Sequence, residues 1–289
     1  MAANGRPPGR AAGVHLHRLP SGPPTILPSA EVLPVPVEPT PIHVSLVVPA
    51  YNEMARIEAS LAAILDFFAH QPYTTEVILA DDGSTDGTAE TARAMLAGHP
   101  TARVLTIPHG GKARAVRQGM TEARGELIAF SDIDLATPLH YLDDLRASVL
   151  GGCHIAIASR EGIGARRLDE PGYRHVMGRV FNLLVRIVVL PGIDDTQCGF
   201  KMFERQTARA ILAASRLYAS ADERVVGPRV TAFDVELLFV AKHLGYRVCP
   251  IPVIWTAGEK SKVNPVSDTV NNIKDVLRIR LNAWRGLYR

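Results

Sequence analysis

The sequence is poor in several things, and each shortage narrows the reading. It has three cysteines, Cys153, Cys198 and Cys249, in 289 residues. They are widely separated and lack metal-type spacing, so they read as reduced thiols of a cytoplasmic protein. No uninterrupted apolar run approaches the roughly 18 residues of a spanning helix. The best candidate, 176–193, is broken by Arg179, Arg186 and Pro191, so no transmembrane segment is expected. The N-terminus lacks the apolar core of a signal peptide. Net charge is small, +3, too weak a basic balance to argue for nucleic acid.

Proline is abundant, but unevenly so. Ten of the 21 prolines fall within residues 1–41, a composition that favours extended chain and cannot build a core. That stretch reads as a disordered tail. Order is expected from 42 onward, with a catalytic domain over 42–267 and an amphipathic helix over 268–289.

From residue 42 the chain alternates short β-branched runs with helical periodicity. Strands are expected over 44–48, 76–80, 103–107 and 127–131, separated by helices over 54–69, 88–97 and 113–123. This pattern implies a mainly parallel sheet with helices on both faces. Ligands of such sheets lie beyond the carboxyl ends of the strands. Three successive strand ends carry Pro49-Ala50-Tyr51-Asn52-Glu53, Asp81-Asp82-Gly83-Ser84 and Asp132-Ile133-Asp134. Two carboxylates two residues apart are costly to bury alone and suit a hard divalent cation whose shell phosphate oxygens complete. Asp81 to Asp86 also reads as an Asx turn and helix cap. His109-Gly110-Gly111-Lys112 lacks P-loop spacing.

Further on, 139–150 reads as a helix and 154–160 as a strand ending on Ser159-Arg160. Residues 161–172 are charged and weakly periodic, so a mobile loop is expected. Helices follow over 174–190, 207–214 and 233–244, with YRVCPIPVIW as one strand. The last helix aligns Val270, Ile273, Leu277, Leu281, Trp284 and Tyr288 on one stripe, with Lys274, Arg278, Arg280 and Arg285 elsewhere. Such a helix can lie in a membrane interface or pack its stripe on the core.

VVPAYNE, DDGSTDGT, the Gly-Lys segment, S-D-I-D, DTQCGFKMF, AFDVELLF and KDVLRIRL, in that order, resemble a family 2 glycosyltransferase of the GT-A fold. Within it they are most similar to the polyprenyl- and dolichyl-phosphate sugar synthases. The resemblance spans about Val44 to Trp284. It implies an inverting transfer of a hexose to a lipid phosphate, with a divalent cation, Mg2+ or Mn2+. Pro49, Tyr51, Glu53 and Asp82 would line the nucleoside pocket. Lys112, or Arg114 and Arg117 nearby, would face the diphosphate. Asp134 would hold the metal, with Asp132 beside it or at the donor ribose. Ser159, Arg160, Arg174, Arg179 and Lys262 would bind acceptor phosphate, and Asp195 would lie near the acceptor as base or orienting group. Of Asp234 and Glu236, two apart on a helix, at most one would point at the site.

The mannosyl branch often has Gln where this chain has Ala136, which favours glucose from UDP-glucose over mannose from GDP-mannose. The relatives also often have Ser in place of Gly178. A lipid phosphate oxygen is already anionic near neutral pH, so that acceptor needs no base, whereas a hydroxyl acceptor does. Transfer to a soluble or glycan hydroxyl, and a non-catalytic nucleotide-sugar binding module, are the alternatives. The expected location is cytoplasmic, with peripheral contact at the cytoplasmic face of a membrane.

Overall fold

The computed structural model describes residues 41–218, 231–258 and 265–288. The elements appear where the periodicities place them, most ends shifted by no more than three residues; the C-terminal helix ends five residues before its expected end, at Trp284. The first half alternates β1 (Val44–Ala50), α1 (Ile57–Ala69), β2 (Thr75–Asp81), α2 (Thr88–Leu96), β3 (Ala102–Thr106), α3 (Lys112–Glu122) and β4 (Leu127–Phe130). Then come α4 (Tyr141–Leu150), β5 (Ile155–Ser159), β6 (Arg166–Leu168), α5 (Gly172–Val188), β7 (Lys201–Glu204) and α6 (Arg205–Ala214). The last elements are α7 (Phe233–His243), β8 (Val248–Pro252), β9 (Ile254–Thr256) and α8 (Pro265–Trp284).

Seven strands form one sheet in the order β3-β2-β1-β4-β7-β5-β8, and β6 pairs with β9 separately. Only β7 runs antiparallel to its neighbours, β4 and β5. Side chains alternate along each strand, and so divide between two cores. Val47, Ile78, Ile128, Phe130 and Phe203 face the side covered by α3, α5, α6, α7 and α8. Leu46, Val48, Leu79, Ala129 and Met202 face the side covered by α1, α2 and α4.

β1 lies between β2 and β4 yet contains Pro49, which has no amide to donate. The position tolerates it because the β1–β4 ladder ends at Val47, opposite Phe130, two residues earlier. Beyond this point β4 turns away into Ser131 and the paired aspartates. The sheet thus opens a gap at its carboxyl edge, and the candidate site is built there.

Three expectations need correction. The segment 161–172 is not loop throughout. It contains β6, and Arg167 ties it together by reaching Glu161 and Glu170, each at 3.0 Å. YRVCPIPVIW is two strands, not one. Pro250 and Pro252 weaken the ladder, and at Val253 the chain changes sheets: its amide donates to Ser159 O, while its carbonyl accepts from Arg166 N. The cysteines are not all reduced: Cys153 and Cys249 form a disulfide and Cys198 is free and buried. That removes the thiol argument for a cytoplasmic location.

The C-terminal helix is not a separate unit. α8 packs on α5 and α7. Its buried Asp275 accepts from the Tyr218 hydroxyl at 2.7 Å. The side turned inward carries Val276 and Ile279, both fully buried, rather than the stripe of Val270, Leu277, Leu281 and Trp284. Among the described residues no helix is long and apolar enough to cross a membrane.

Candidate active site

The first two strand ends are stapled to each other. Asn52, at φ 51°, is a non-glycine residue in the left-handed region, a conformation that persists only where its surroundings hold it. Here the Asn52 amide donates to Ser84 Oγ at 2.9 Å, and Asn52 Oδ1 accepts from the Thr85 amide at 2.9 Å. Glu53 N donates to Thr88 Oγ1 at 2.9 Å, and Glu53 pairs with Arg56 at 3.0 Å. The PAYNE turn and the DDGST turn therefore form one platform. The turn residues of Asp81 to Asp86 do serve locally, as their sequence suggested: Asp86 Oδ1 accepts from the Thr88 amide at 3.1 Å.

Asp82 carries a duty the sequence did not announce. Its buried carboxylate accepts from the Gly110 amide, the Gly111 amide and His109 Nδ1, each at 2.8 Å. Burial raises its pKa, against the pull of both amides and His109. The His109 ring in turn stacks on Tyr51, centroids 4.2 Å apart. Asp82 thus fixes the loop that launches α3 and so places Lys112. His109 was visible in the sequence only as the residue before Gly-Gly-Lys. Arg117 is not at the site, because its Nη2 donates to Leu212 O on α6.

Lys112 forms an ion pair with Asp132. Burial opposes its charge, but Asp132, Asp234 and Asp134 together raise its pKa, so it stays protonated. Asp134 is exposed, and Oδ1 accepts from the Ala136 amide at 3.1 Å. Although Asp134 keeps contact with solvent, the protein crowded around its loop and the nearby Asp132 charge raise its pKa. The like charge of Asp132 disfavours ionisation of Asp134, and a divalent cation relieves this. Leu135, between them and Ala136, also sits in the left-handed region, at φ 50°. Among the described residues no third His, Cys, Asp or Glu completes a metal cluster, so the donor set suits a cation that takes its remaining oxygens from a ligand.

The DTQCGFK segment underlies this loop. A Cβ on Gly199 would fall 2.0 Å from Asp132 Oδ2, so only glycine lets the carboxylate lie there. Cys198 Sγ contacts Thr137 Oγ1 at 3.6 Å. Lys201 is fully buried. Its ammonium donates to Cys198 O at 2.6 Å and to Asp234 Oδ1 at 3.1 Å. At the head of the segment, Asp195 is buried and gripped by Arg160, with Nε to Oδ2 at 2.8 Å and Nη2 to Oδ1 at 2.9 Å. Burial alone would raise the Asp195 pKa, yet the Arg160 charge and hydrogen bonds hold it well below the usual carboxylate range. A carboxyl so strongly acidic is no proton acceptor near neutrality. The Arg160 pairing therefore argues against Asp195 as a base, and the orienting role fits.

The acceptor-side residues divide. Ser159 is buried, and its hydroxyl closes a turn on Glu161, donating to the carbonyl at 2.9 Å. Arg160 spends two nitrogens on Asp195 and lies over the Trp255 ring at 5.4 Å. Arg179 is exposed and reaches Glu161 at 3.1 Å. A cleft of about 600 Å³ lies between the 161–172 segment and the start of α5, lined by Arg160, Glu161, Arg167, Glu170, His175 and Val176 among others. The side chain of Arg174, and all of Ser261 and Lys262, lie outside the described residues. Pro49 is buried within β1 opposite Ala80. Asp234 turns toward the site through Lys201. Glu236 does not: it accepts from the Arg216 and Leu217 amides and from the Tyr288 hydroxyl.

A mostly parallel sheet with paired carboxylates at a strand end, beside the platform of the two stapled turns, is the architecture of a GT-A glycosyltransferase. Residues 45–212 match the family described as glycosyl transferase family 2, and the chain belongs to that family. The human dolichyl-phosphate beta-glucosyltransferase is 34% identical over 263 residues, covering 86% of this chain and 78% of that one. The ALG5C enzyme of the same name from Trichomonas vaginalis is 31% identical over 89% of this chain and 77% of its own. Among solved structures, mannosyl-3-phosphoglycerate synthase from Rubrobacter xylanophilus superposes with a TM-score of 0.60 at 18% identity, covering 85% of this chain and 75% of that one. Glucosyl-3-phosphoglycerate synthase from Mycobacterium tuberculosis, in complex with Mn2+, UDP and phosphoglyceric acid, does so at 0.59 and 20%, covering 83% and 78%. These structures share the fold.

Proposed function

We propose that this glycosyltransferase moves glucose from UDP-glucose to a polyprenyl phosphate of the dolichyl type, with inversion. The observation that carries the reading is the pairing of the carboxylates. Asp132 has Lys112, Asp195 has Arg160 and Asp234 has Lys201. Asp195, whose carboxyl Arg160 holds well below its usual range, is a poor general base, which suits an acceptor whose attacking oxygen is already anionic. The relatives named for glucosyl transfer to dolichyl phosphate, near 30% identity over most of the chain, support the same choice.

Tyr51, Glu53 and Asp82 gather where the nucleoside would sit, and Lys112 where the diphosphate would. Asp132 and Asp134 would hold a divalent cation; the glucosyl-3-phosphoglycerate synthase that shares the fold was crystallised with Mn2+. That cation would supply charge neutralisation to the departing diphosphate. Lys112, already cationic, would share the task from the other side. Arg160, fixed by Asp195, lines the cleft in which the acceptor phosphate would be received, and Arg179 reaches Glu161 at that cleft. The reaction would take place at the cytoplasmic face of a membrane.

The test is transfer from UDP-glucose or GDP-mannose to a detergent-dispersed short polyprenyl phosphate, with Mn2+, Mg2+ or EDTA, for wild type and Asp134→Ala. Labelled lipid from UDP-glucose alone, dependent on metal and on Asp134, is the expected result. Metal-dependent donor hydrolysis without lipid product would end the lipid-acceptor reading while leaving the donor site intact.

A further inference from the structure

Helix α5 is apolar on two opposite sides, and in this structure only one is covered. Phe181, Val185 and Val189 face the core. On the far side Val176, Val180, Leu183 and Ile187, three or four residues apart, form a continuous stripe. They are 60%, 63%, 53% and 75% exposed. A helix that is hydrophobic all round normally has apolar surroundings on every side. Its neighbour α8 repeats the arrangement. Val276 and Ile279 face inward, while Val270, Leu277, Leu281 and Trp284 face outward, Trp284 at 73% exposure. Because α5 and α8 pack on each other, the two outer stripes belong to adjacent helices. So large an uncovered apolar surface marks an interaction site.

The charges say what it faces. α5 contains no Asp or Glu. Between 270 and 284 the acidic residue of α8 is Asp275, which is buried. Exposed cations border the stripes instead: Arg179 and Arg186 on α5, and Lys274, Arg278 and Arg280 on α8. Arg179 also reaches Glu161 and Arg186 reaches Asp194 at the margin. Arg280 lies 5.4 Å from the Trp284 ring, combining an interface-seeking aromatic with a cation able to reach head groups.

We infer that the outer faces of α5 and α8 together form a monotopic docking surface for an anionic lipid bilayer, one that lies on the membrane without crossing it. Val176 belongs both to this surface and to the lining of the cleft beside Arg160. Resting on the lipid-phosphate reading above, this continuity would let an acceptor put its phosphate into the cleft while its chain stays in the bilayer. The docking surface itself does not depend on that reading.

The experiment floats the full-length chain with phosphatidylcholine vesicles, with and without phosphatidylglycerol and always without polyprenyl phosphate. The chain is expected to rise with the anionic vesicles and several-fold less with the neutral ones. Ile187→Asp combined with Leu277→Asp should cut the bound fraction by about tenfold or more. Both side chains point outward, so circular dichroism and the melting temperature should stay unchanged. A wild-type chain that stays at the bottom with both vesicle types overturns the proposal. So does a dimer in solution that the double substitution dissociates, because the face then belongs to a second copy. Binding that appears only after removal of residues 1–40 overturns it too, since that segment then covers the face. A failed flotation leaves transfer to a detergent-dispersed acceptor untouched, and failed transfer leaves flotation untouched.

Discussion

Arg160 holds Asp195 with two side-chain nitrogens, and its own amide adds a third hydrogen bond to Asp195 Oδ2 at 2.8 Å. Both groups are withdrawn from water. Asp195→Asn leaves a guanidinium charge with little solvent and no counter-charge, which costs about 3–5 kcal/mol. The lowered pKa of Asp195 fixes the pH dependence. Its contribution is fully present above the usual value of 3.8 and is lost as pH falls through the depressed one. The stability gap between wild type and Asp195→Asn, from urea unfolding, should therefore stay constant from neutrality to about pH 4 and narrow only below that. A gap that changes between about pH 5 and pH 8 would show a carboxyl titrating there and would restore Asp195 as a base.

Gly199 gives a second prediction, because its missing side chain makes room for Asp132. In Gly199→Ala the added methyl would lie 2.0 Å from Asp132 Oδ2 and 2.6 Å from Cγ. Gly199 is not among the residues of positive φ, so the backbone itself accepts alanine. The carboxylate must move instead, and a displacement of about 1 Å at a reacting centre can cost about a hundredfold in rate. Transfer should fall by roughly that factor, with weaker Mn2+ binding by calorimetry and a melting temperature within a few degrees of wild type. Full activity in this variant would mean that Asp132 is not needed where the structure places it.

The alternating strands and helices were legible in the sequence because each buries a face with its own period, and the strand ends followed. The disulfide was not legible. It depends on β8 lying beside β5, a pairing of strands about ninety residues apart that periodicity does not encode. The roles within DTQCGFK were hidden for a similar reason: Gly199, Lys201 and Asp195 act on Asp132, Asp234 and Arg160, all remote in sequence. Of the stripe expected on α8, Val270, Leu277, Leu281 and Trp284 do lie outward, but Tyr288, beyond the helix end, is buried. The direction of the stripe could not be read, because the inward side is polar at Asn272 and Asp275 and becomes buried only through Tyr218 and the neighbouring helices.

Lys201 and Asp234 form a pair at 3.1 Å, with Lys201 fully buried beneath the paired aspartates. Asp234→Asn removes the carboxylate that accepts from that ammonium, and should destabilise the fold by about 3 kcal/mol or more. Lys201→Met with Asp234→Leu removes both charges and keeps similar volume, so most of that loss should return. Asp234 also helps keep Lys112 charged, so the double variant should still transfer sugar poorly despite its recovered stability. Unfolding and steady-state kinetics on the same preparations separate the two effects. Equal recovery of stability and rate would confine Asp234 to the fold.

The last prediction concerns the edge of the sheet. Among the described residues β8 is the terminal strand and pairs only with β5, so one side of its backbone has no ladder partner among them. The Cys153–Cys249 bond anchors this strand to the turn that precedes β5, across a sequence separation of 96. Closing so long a loop restricts the unfolded chain strongly, and disulfides of this kind contribute about 2–5 kcal/mol. Alkylation of the denatured, unreduced chain should modify one thiol, that of Cys198, and reduction should raise the number to three, as the pairing of Cys153 with Cys249 requires. Cys153→Ser with Cys249→Ser should lower stability by an amount in that range and speed amide exchange in β8 more than in the central β1. Cys153 and Cys249 stand apart from the paired aspartates, so transfer activity at low temperature should change little. Three reactive thiols without reductant, or exchange that rises equally in β1 and β8, would show that the edge strand is held by its hydrogen bonds alone.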